Sequence, residues 1–187
     1  VYSEIELAYL YDKGDIIAIT GTNGKTTTTS LVYEIVKAYN KNTLLVGNIE
    51  IPYTGRVHDS VEGGATVAEI SSFQLETMLT FKPKVSAILN ITPDHLDRYE
   101  NDMQKYTDSK MRILRNQDAN DAFIYWADDP IIKEELENIV SVEEKDNKIK
   151  KIERQIAQID FYCWYFSIFS RRLLPAASFD NSSIESL

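Results

Sequence analysis

A strand pattern, a glycine turn and a helix pattern follow one another without a gap near the start of this chain. Asp15-Ile-Ile-Ala-Ile19 runs directly into Thr20-Gly-Thr-Asn-Gly-Lys-Thr-Thr27. A helix start leaves backbone N–H groups without intrahelical partners, and the helix dipole adds partial positive charge there. Such a turn suits phosphate oxygens. Gly21 and Gly24 let the main chain approach them closely, and Thr22, Asn23 and Thr27 share the same cradle. Lys25 can reach the β- and γ-phosphates of a nucleotide, and the Thr26 hydroxyl can ligate Mg²⁺. The common pattern G-x-x-x-x-G-K-[ST] wants glycine where this chain has Ile19, so the turn is a shorter G-x-x-G-K-T.

Bulk properties narrow the partners. The chain has 187 residues, enough for one core and an appendage, and a formal net charge of −9. No basic field would draw in nucleic acid or an anionic membrane, so the phosphate site must be local. A single cysteine, Cys163, excludes an internal disulfide and suits a reducing cytoplasm. No secretory leader pattern opens the chain, and its first residues read as the middle of a longer protein.

Short runs that are apolar on both faces predict strands over residues 16–20, 43–46, 66–70, 85–89 and 122–125. Helical patterns fall between them, over 26–39, 72–79, 101–114 and 129–139. In the first of these, Leu31, Ile35 and Tyr39 form a stripe with Val32 and Val36 beside it. Strands alternating with helices predict an α/β fold: a mostly parallel sheet with helices on both faces, of the P-loop mononucleotide-binding type. Ligands in such folds sit at the carboxyl ends of the strands, where the glycine turn lies. The expected division is a linker-like stretch over 1–13, an ATP-binding domain over 14–140 and an unassigned tail over 141–187. That tail carries isoleucines at helical spacing, Ile149, Ile152, Ile156 and Ile159, and then an aromatic run over 161–169 too short to span a bilayer.

Three further residues stand out. Glu69 closes a buried strand, where a charge is costly unless a cation such as Mg²⁺ neutralises it; a helix cap or a lysine partner is the alternative. His95 lies just past the end of the next strand, on the presumed ligand rim. Lys110 sits in Tyr106-Thr-Asp-Ser-Lys110, and its pattern alone makes it a solvent-facing lysine. His58, between Arg56 and Asp59, reads as a surface residue.

Taken together, Gly21-Thr-Asn-Gly-Lys-Thr26, Gly47-Asn-Ile49, Glu69-Ile-Ser-Ser-Phe-Gln-Leu-Glu76, Asn90-Ile-Thr-Pro-Asp-His-Leu-Asp-Arg-Tyr99 and Tyr106-Thr-Asp-Ser-Lys110 resemble the Mur ligase family in order and spacing. They match its central ATP-binding domain, whose phosphate turn is also short. The Ser-Ser-Phe-Gln-Leu-Glu run looks like the D-glutamate-adding branch rather than the folylpolyglutamate or other branches. The resemblance implies an ADP-forming amide ligation in peptidoglycan precursor synthesis, joining D-glutamate to UDP-N-acetylmuramoyl-L-alanine through an acyl phosphate. It implies that Lys25 neutralises the transferring phosphoryl group, that Thr26 and Glu69 hold one Mg²⁺, and that His95 helps hold a second. Asn48 would contact the UDP-sugar. Lys110 would be carbamylated and serve as an oxygen ligand, and Lys25, His95 and Lys110 would form the catalytic set.

The chain departs from the family in two ways. Glu50 stands where the family's Gly-Asn-Ile-Gly has its last glycine, which puts a carboxylate near the UDP-sugar site. The family's N-terminal UDP-binding domain and C-terminal amino-acid-binding domain are not recognisable. An Mg-ATP-binding fragment without turnover is therefore the competing expectation for the chain on its own.

Overall fold

The computed structural model describes residues 2–49 and 51–145, with side chains through residue 139. Glu50, Cys163 and the expected tail helix and aromatic run lie outside the described residues or their described side chains.

The described chain builds five strands: β1 (Asp15–Thr20), β2 (Thr43–Gly47), β3 (Ala65–Glu69), β4 (Val85–Ile88) and β5 (Ala122–Tyr125). Six α-helices accompany them: α1 (Glu4–Tyr9), α2 (Lys25–Tyr39), α3 (Tyr53–Arg56), α4 (Ser72–Glu76), α5 (Met103–Met111) and α6 (Pro130–Lys145). The strands form one sheet in the order β2-β3-β1-β4-β5, and every pairing is parallel. The parallel α/β expectation therefore holds. β1, with the glycine turn at its end, lies at the centre between β3 and β4.

Period-two alternation splits β1 between two cores. Ile17 and Ile19 face α2 and pack with Val32, Val36, Val67 and Ala87. Ile16 and Ala18 face the other way and pack with residues from α1, α4, α5 and α6, among them Ile5, Leu75, Tyr106 and Ile132. Both faces of the sheet are covered, so the strands read as continuous apolar runs.

The expected stripe on α2 needs correction. Leu31 and Tyr39 are about half exposed, at 45% and 50%, whereas Thr29, Val32 and Val36 are buried. The buried residues keep helical spacing, but the stripe includes a threonine, so an apolar count alone picked the neighbouring face. α5 begins at Met103 rather than at 101. Glu100 and Asn101 have left-handed φ values of 57° and 58°, and the Asp102 carboxylate then accepts from the N–H groups of Gln104 and Lys105 as an N-cap. α4 ends at Glu76, short of the expected 79, after a capping box between Ser71 and Gln74.

The stretch over 1–13 carries α1, with Ile5, Glu6 and Ala8 fully buried. Glu6 accepts hydrogen bonds from the N–H groups of Leu79 (3.0 Å), Thr80 (2.6 Å) and Phe81 (3.1 Å), and from the Thr80 hydroxyl. Burial pushes its carboxyl up, but these donors together outweigh burial and hold it below the usual carboxylate range. Asp12 accepts from the Tyr53 and Thr66 hydroxyls at 2.5 and 2.6 Å and fastens the end of this segment to α3 and β3.

Candidate nucleotide-phosphate site

Four loops meet at the carboxyl ends of β1, β2, β3 and β4. The first follows Thr20. Gly21 takes φ 152° where its missing Cβ would stand 3.0 Å from that of Leu89, and Gly24 takes φ 79° as the N-cap of α2. No side chain caps the helix there, and Asn23, Gly24, Thr26 and Thr27 are exposed, so the helix start opens to solvent.

Two ammonium groups converge on this turn. Lys25 Nζ donates to the carbonyls of Gly21 (2.9 Å) and Thr22 (2.8 Å), and Lys110 Nζ donates to the same Gly21 carbonyl at 2.8 Å. Lys110 is 2% exposed, which corrects the solvent-facing expectation. Met103, Tyr106, Lys110 and Ile113 follow one another at helical spacing, and all four pack inward, with Met103 only partly buried. A reader who let a lysine occupy an apolar stripe would have placed it correctly. Burial first, and the Lys25 ammonium second, pull the Lys110 ammonium down to about 7, against the opposing pull of Asp94. The Tyr106 ring lies under Nζ at 4.7 Å.

Glu69 is 1% exposed and pairs in register with Ile19 of β1 and Gly47 of β2. Asn48 Nδ2 donates to its Oε1 at 3.0 Å, while its Oε2 has no partner among the described residues. An unpartnered buried carboxylate oxygen is costly, and a cation beside it would remove the cost. Asn48 N–H also donates to the Glu69 carbonyl at 2.8 Å. That close approach is possible because Gly47 lacks a Cβ, which would stand 2.1 Å from the Glu69 carbonyl oxygen.

His95 lies on the same rim in the loop after β4, at φ 48°, with its side chain 66% exposed. Its neighbours are Asp94, at 3.6 Å, and the Phe73 ring, whose centroid is 5.9 Å away. The structure thus joins Gly21, Thr22, Lys25 and Lys110 by direct contact, joins Asn48 to Glu69, and leaves His95 reaching outward from the adjacent loop. His58 is a surface residue, its side chain 73% exposed beside Asp59. Among the described residues, no group of three or more His, Cys, Asp and Glu could hold a metal by itself. A hard cation here would need Glu69 together with hydroxyl, amide, phosphate or carbamate oxygens, and Glu69 Oε2 fits that use.

Tyr106, Thr92 and Asp129 support the turn and its neighbouring loop, although the sequence assigned none of them a role. The Tyr106 hydroxyl lies 3.1 Å from Thr22 Oγ1, and Thr22 Oγ1 also accepts from the Thr92 N–H at 3.0 Å. Asp129 is buried, accepts from the Ile91 N–H at 3.0 Å, and caps α6 through the N–H groups of Ile131 and Ile132.

An all-parallel sheet with a glycine turn at its central strand, opening onto an uncapped helix, defines an α/β domain of the mononucleotide-binding class. The chain belongs to the Mur ligase family: the Mur ligase middle domain matches residues 19–171. It is 60% identical over 129 residues to the UDP-N-acetylmuramoylalanine–D-glutamate ligase of Lachnospira eligens, covering 69% of this chain and 28% of that protein. To the ligase of the same name from Lachnoclostridium phytofermentans it is 53% identical over 133 residues, covering 71% and 29%. To that of Bacteroides thetaiotaomicron it is 51% identical over 136 residues, covering 73% and 30%. The chain therefore spans less than a third of the length of these curated relatives. Among the described residues no helix is long and apolar enough to cross a membrane.

Proposed function

We propose that this chain is the Mg-ATP-binding part of a cytoplasmic, ADP-forming ligase that joins D-glutamate to UDP-N-acetylmuramoyl-L-alanine. One observation carries the reading above the others. Two lysines from distant parts of the chain meet on the Gly21 carbonyl, at an uncapped helix start, one strand away from a buried carboxylate with an unpartnered oxygen. That arrangement concentrates positive charge where a triphosphate would lie and leaves negative charge where its counter-cation would lie. Residues 14–140 serve as the ATP-binding unit in this reading.

In the reaction, the substrate carboxylate attacks the γ-phosphorus of ATP. An O–P bond forms, the bond to ADP breaks, and an acyl phosphate results. The amine of D-glutamate then attacks the acyl carbon, loses a proton and expels inorganic phosphate. Lys25 would leave the Gly21 and Thr22 carbonyls to follow the γ-phosphate, and the N–H groups at the start of α2 would hold the phosphate oxygens. Thr26 and Glu69 would hold one Mg²⁺ and His95 would help hold a second. Bound magnesium supplies charge neutralisation on the phosphate oxygens. Asn48, already fixed on Glu69, would present its remaining polar atoms to the UDP-sugar.

Lys110 fits a carbamate role. With its ammonium pulled down to about 7, a large share of the side chain is a neutral amine near neutral pH. The amine nitrogen can bond to the carbon of CO₂ and release a proton, giving an anionic oxygen donor suited to a hard cation. A folylpolyglutamate ligase is the runner-up, and the Phe73-Gln74 pair weighs against it.

The deciding experiment has two arms. Calorimetry should show the 187-residue chain binding Mg-ATP. An amide-ligase assay with UDP-N-acetylmuramoyl-L-alanine, D-glutamate and ATP should show turnover by the full-length parent and none by this chain. Absence of Mg-ATP binding by both would overturn the reading.

A further inference from the structure

Part of the glycine turn's hydrogen-bonding capacity is already committed, and to a single residue. The Thr22 N–H donates to the Asn90 carbonyl at 2.9 Å, and the Asn23 N–H donates to Asn90 Oδ1 at 2.9 Å. Asn90 Nδ2 donates in return to the Asn23 carbonyl at 3.1 Å. One primary amide thereby takes both the donor and the acceptor of one loop residue, as a neighbouring strand would. The primary amide of asparagine or glutamine carries a donor and an acceptor side by side on one planar group.

The consequence follows from peptide geometry. In a trans peptide unit the C=O and the next N–H point in opposite directions. Holding the Asn23 carbonyl on Asn90 therefore turns the Gly24 N–H away from Asn90. Gly24, with φ 79°, tolerates that orientation. Thr28 N–H closes the first helical bond to the Gly24 carbonyl at 3.0 Å. The N–H groups of Gly24, Lys25, Thr26 and Thr27 precede that bond and are the donors an α-helix leaves over at its start. Asn90 is itself held in place. It stands two residues past the end of β4, its neighbour Ile91 is fixed by Asp129, and Thr92 is fixed by Thr22.

We propose that Asn90 is a positioning residue that sets the phosphate cradle. It confines main-chain phosphate contacts to the N–H groups of Gly24 through Thr27 and removes those of Thr22 and Asn23 from use. The proposal rests on the phosphate reading of the turn.

The test uses the 187-residue chain with Asn90→Leu, which keeps the branched shape without polar atoms, and Asn90→Ala, which covers the case in which leucine does not fit. Affinities for Mg-ATP and for magnesium tripolyphosphate are measured by calorimetry, with thermal melts in parallel. The Gly24 and Lys25 amide resonances are followed without ligand. Asn90 is half-buried, so both variants should fold. The expected result is a loss of about tenfold or more for both ligands alike, at little cost in melting temperature, with the Gly24 resonance displaced. Affinities within about twofold of the parent would overturn the proposal. So would a loss that merely follows a lower melting temperature while the Gly24 resonance stays put. If the parent chain bound neither ligand, the phosphate reading would fail instead, and an undisplaced Gly24 resonance in the variants would still refute the clasp.

Discussion

Glu6 and Glu69 are the same side chain, equally hidden from water, in opposite circumstances. Glu6, at 0% exposure, is met by three backbone N–H groups and a hydroxyl from residues 79–81. Glu69, at 1%, receives one donor from Asn48 and keeps an oxygen with no partner among the described residues. The first is a finished structural clasp that fixes α1 against the loop before β4. The second, on the strand next to the glycine turn, keeps one carboxylate oxygen open to a further donor or a cation. Buried charge therefore teaches little by its presence, and much by whether its hydrogen bonds are complete.

Substitutions can break or sharpen that contrast. The largest effect should come from Lys25→Ala, which removes one of the two ammonium groups that meet on the Gly21 carbonyl, one strand from Glu69. Mg-ATP affinity measured by calorimetry should fall by about a hundredfold or more. An unchanged affinity would mean that the turn does not hold phosphate.

Glu69→Gln comes next. It should lower magnesium-dependent ATP affinity by about tenfold while leaving the melting temperature level or higher, because it removes an uncompensated charge. Glu6→Gln should do the reverse. It presents an NH₂ group to a set of donors and should cost about 3 kcal/mol of stability by urea unfolding, with Mg-ATP affinity unaltered once folded. If the two variants behaved alike, the contrast would be false.

The pH dependence sharpens it further. Glu6 titrates lower in the folded chain than in the unfolded one. Its stabilisation is then complete above the unfolded carboxyl value of about 4.3 and is lost as pH falls through the lower folded value. Melting temperatures followed downward from pH 6 should show a steeper acid decline in the parent than in Glu6→Gln. Equal slopes would remove the clasp from the acid response. The smallest signal belongs to Lys110. Carbon-13 bicarbonate should give a carbamate resonance in the parent that is missing from Lys110→Arg.

Legibility in the sequence followed chemistry that announces itself. The five strands were visible because a sheet covered on both faces demands unbroken apolar runs, and the glycine turn was visible because its glycines sit at a strand-to-helix junction. Glu69 stood out as a charge at the end of such a run. The strand order was not visible, since nothing local in β2 or β3 says which of them lies beside β1. Lys110 was hidden because a lysine on a helix is ordinarily counted as solvated, and only its alignment with Met103, Tyr106 and Ile113 shows otherwise. Asn90 and Glu6 were hidden for a related reason. An asparagine after a strand looks like any turn residue, and an acidic residue in a short helix looks like surface, until their partners from distant parts of the chain are seen.

Gly47 carries a consequence for how this region can vary. A single methyl group added there would collide with the Glu69 carbonyl oxygen at 2.1 Å and wedge two neighbouring strand ends apart. The buried acid and the asparagine that steadies it would separate together, although neither had been altered. A hydrogen atom thus acts as the spacer that lets these two strand ends, with the acid and the amide they carry, lie side by side.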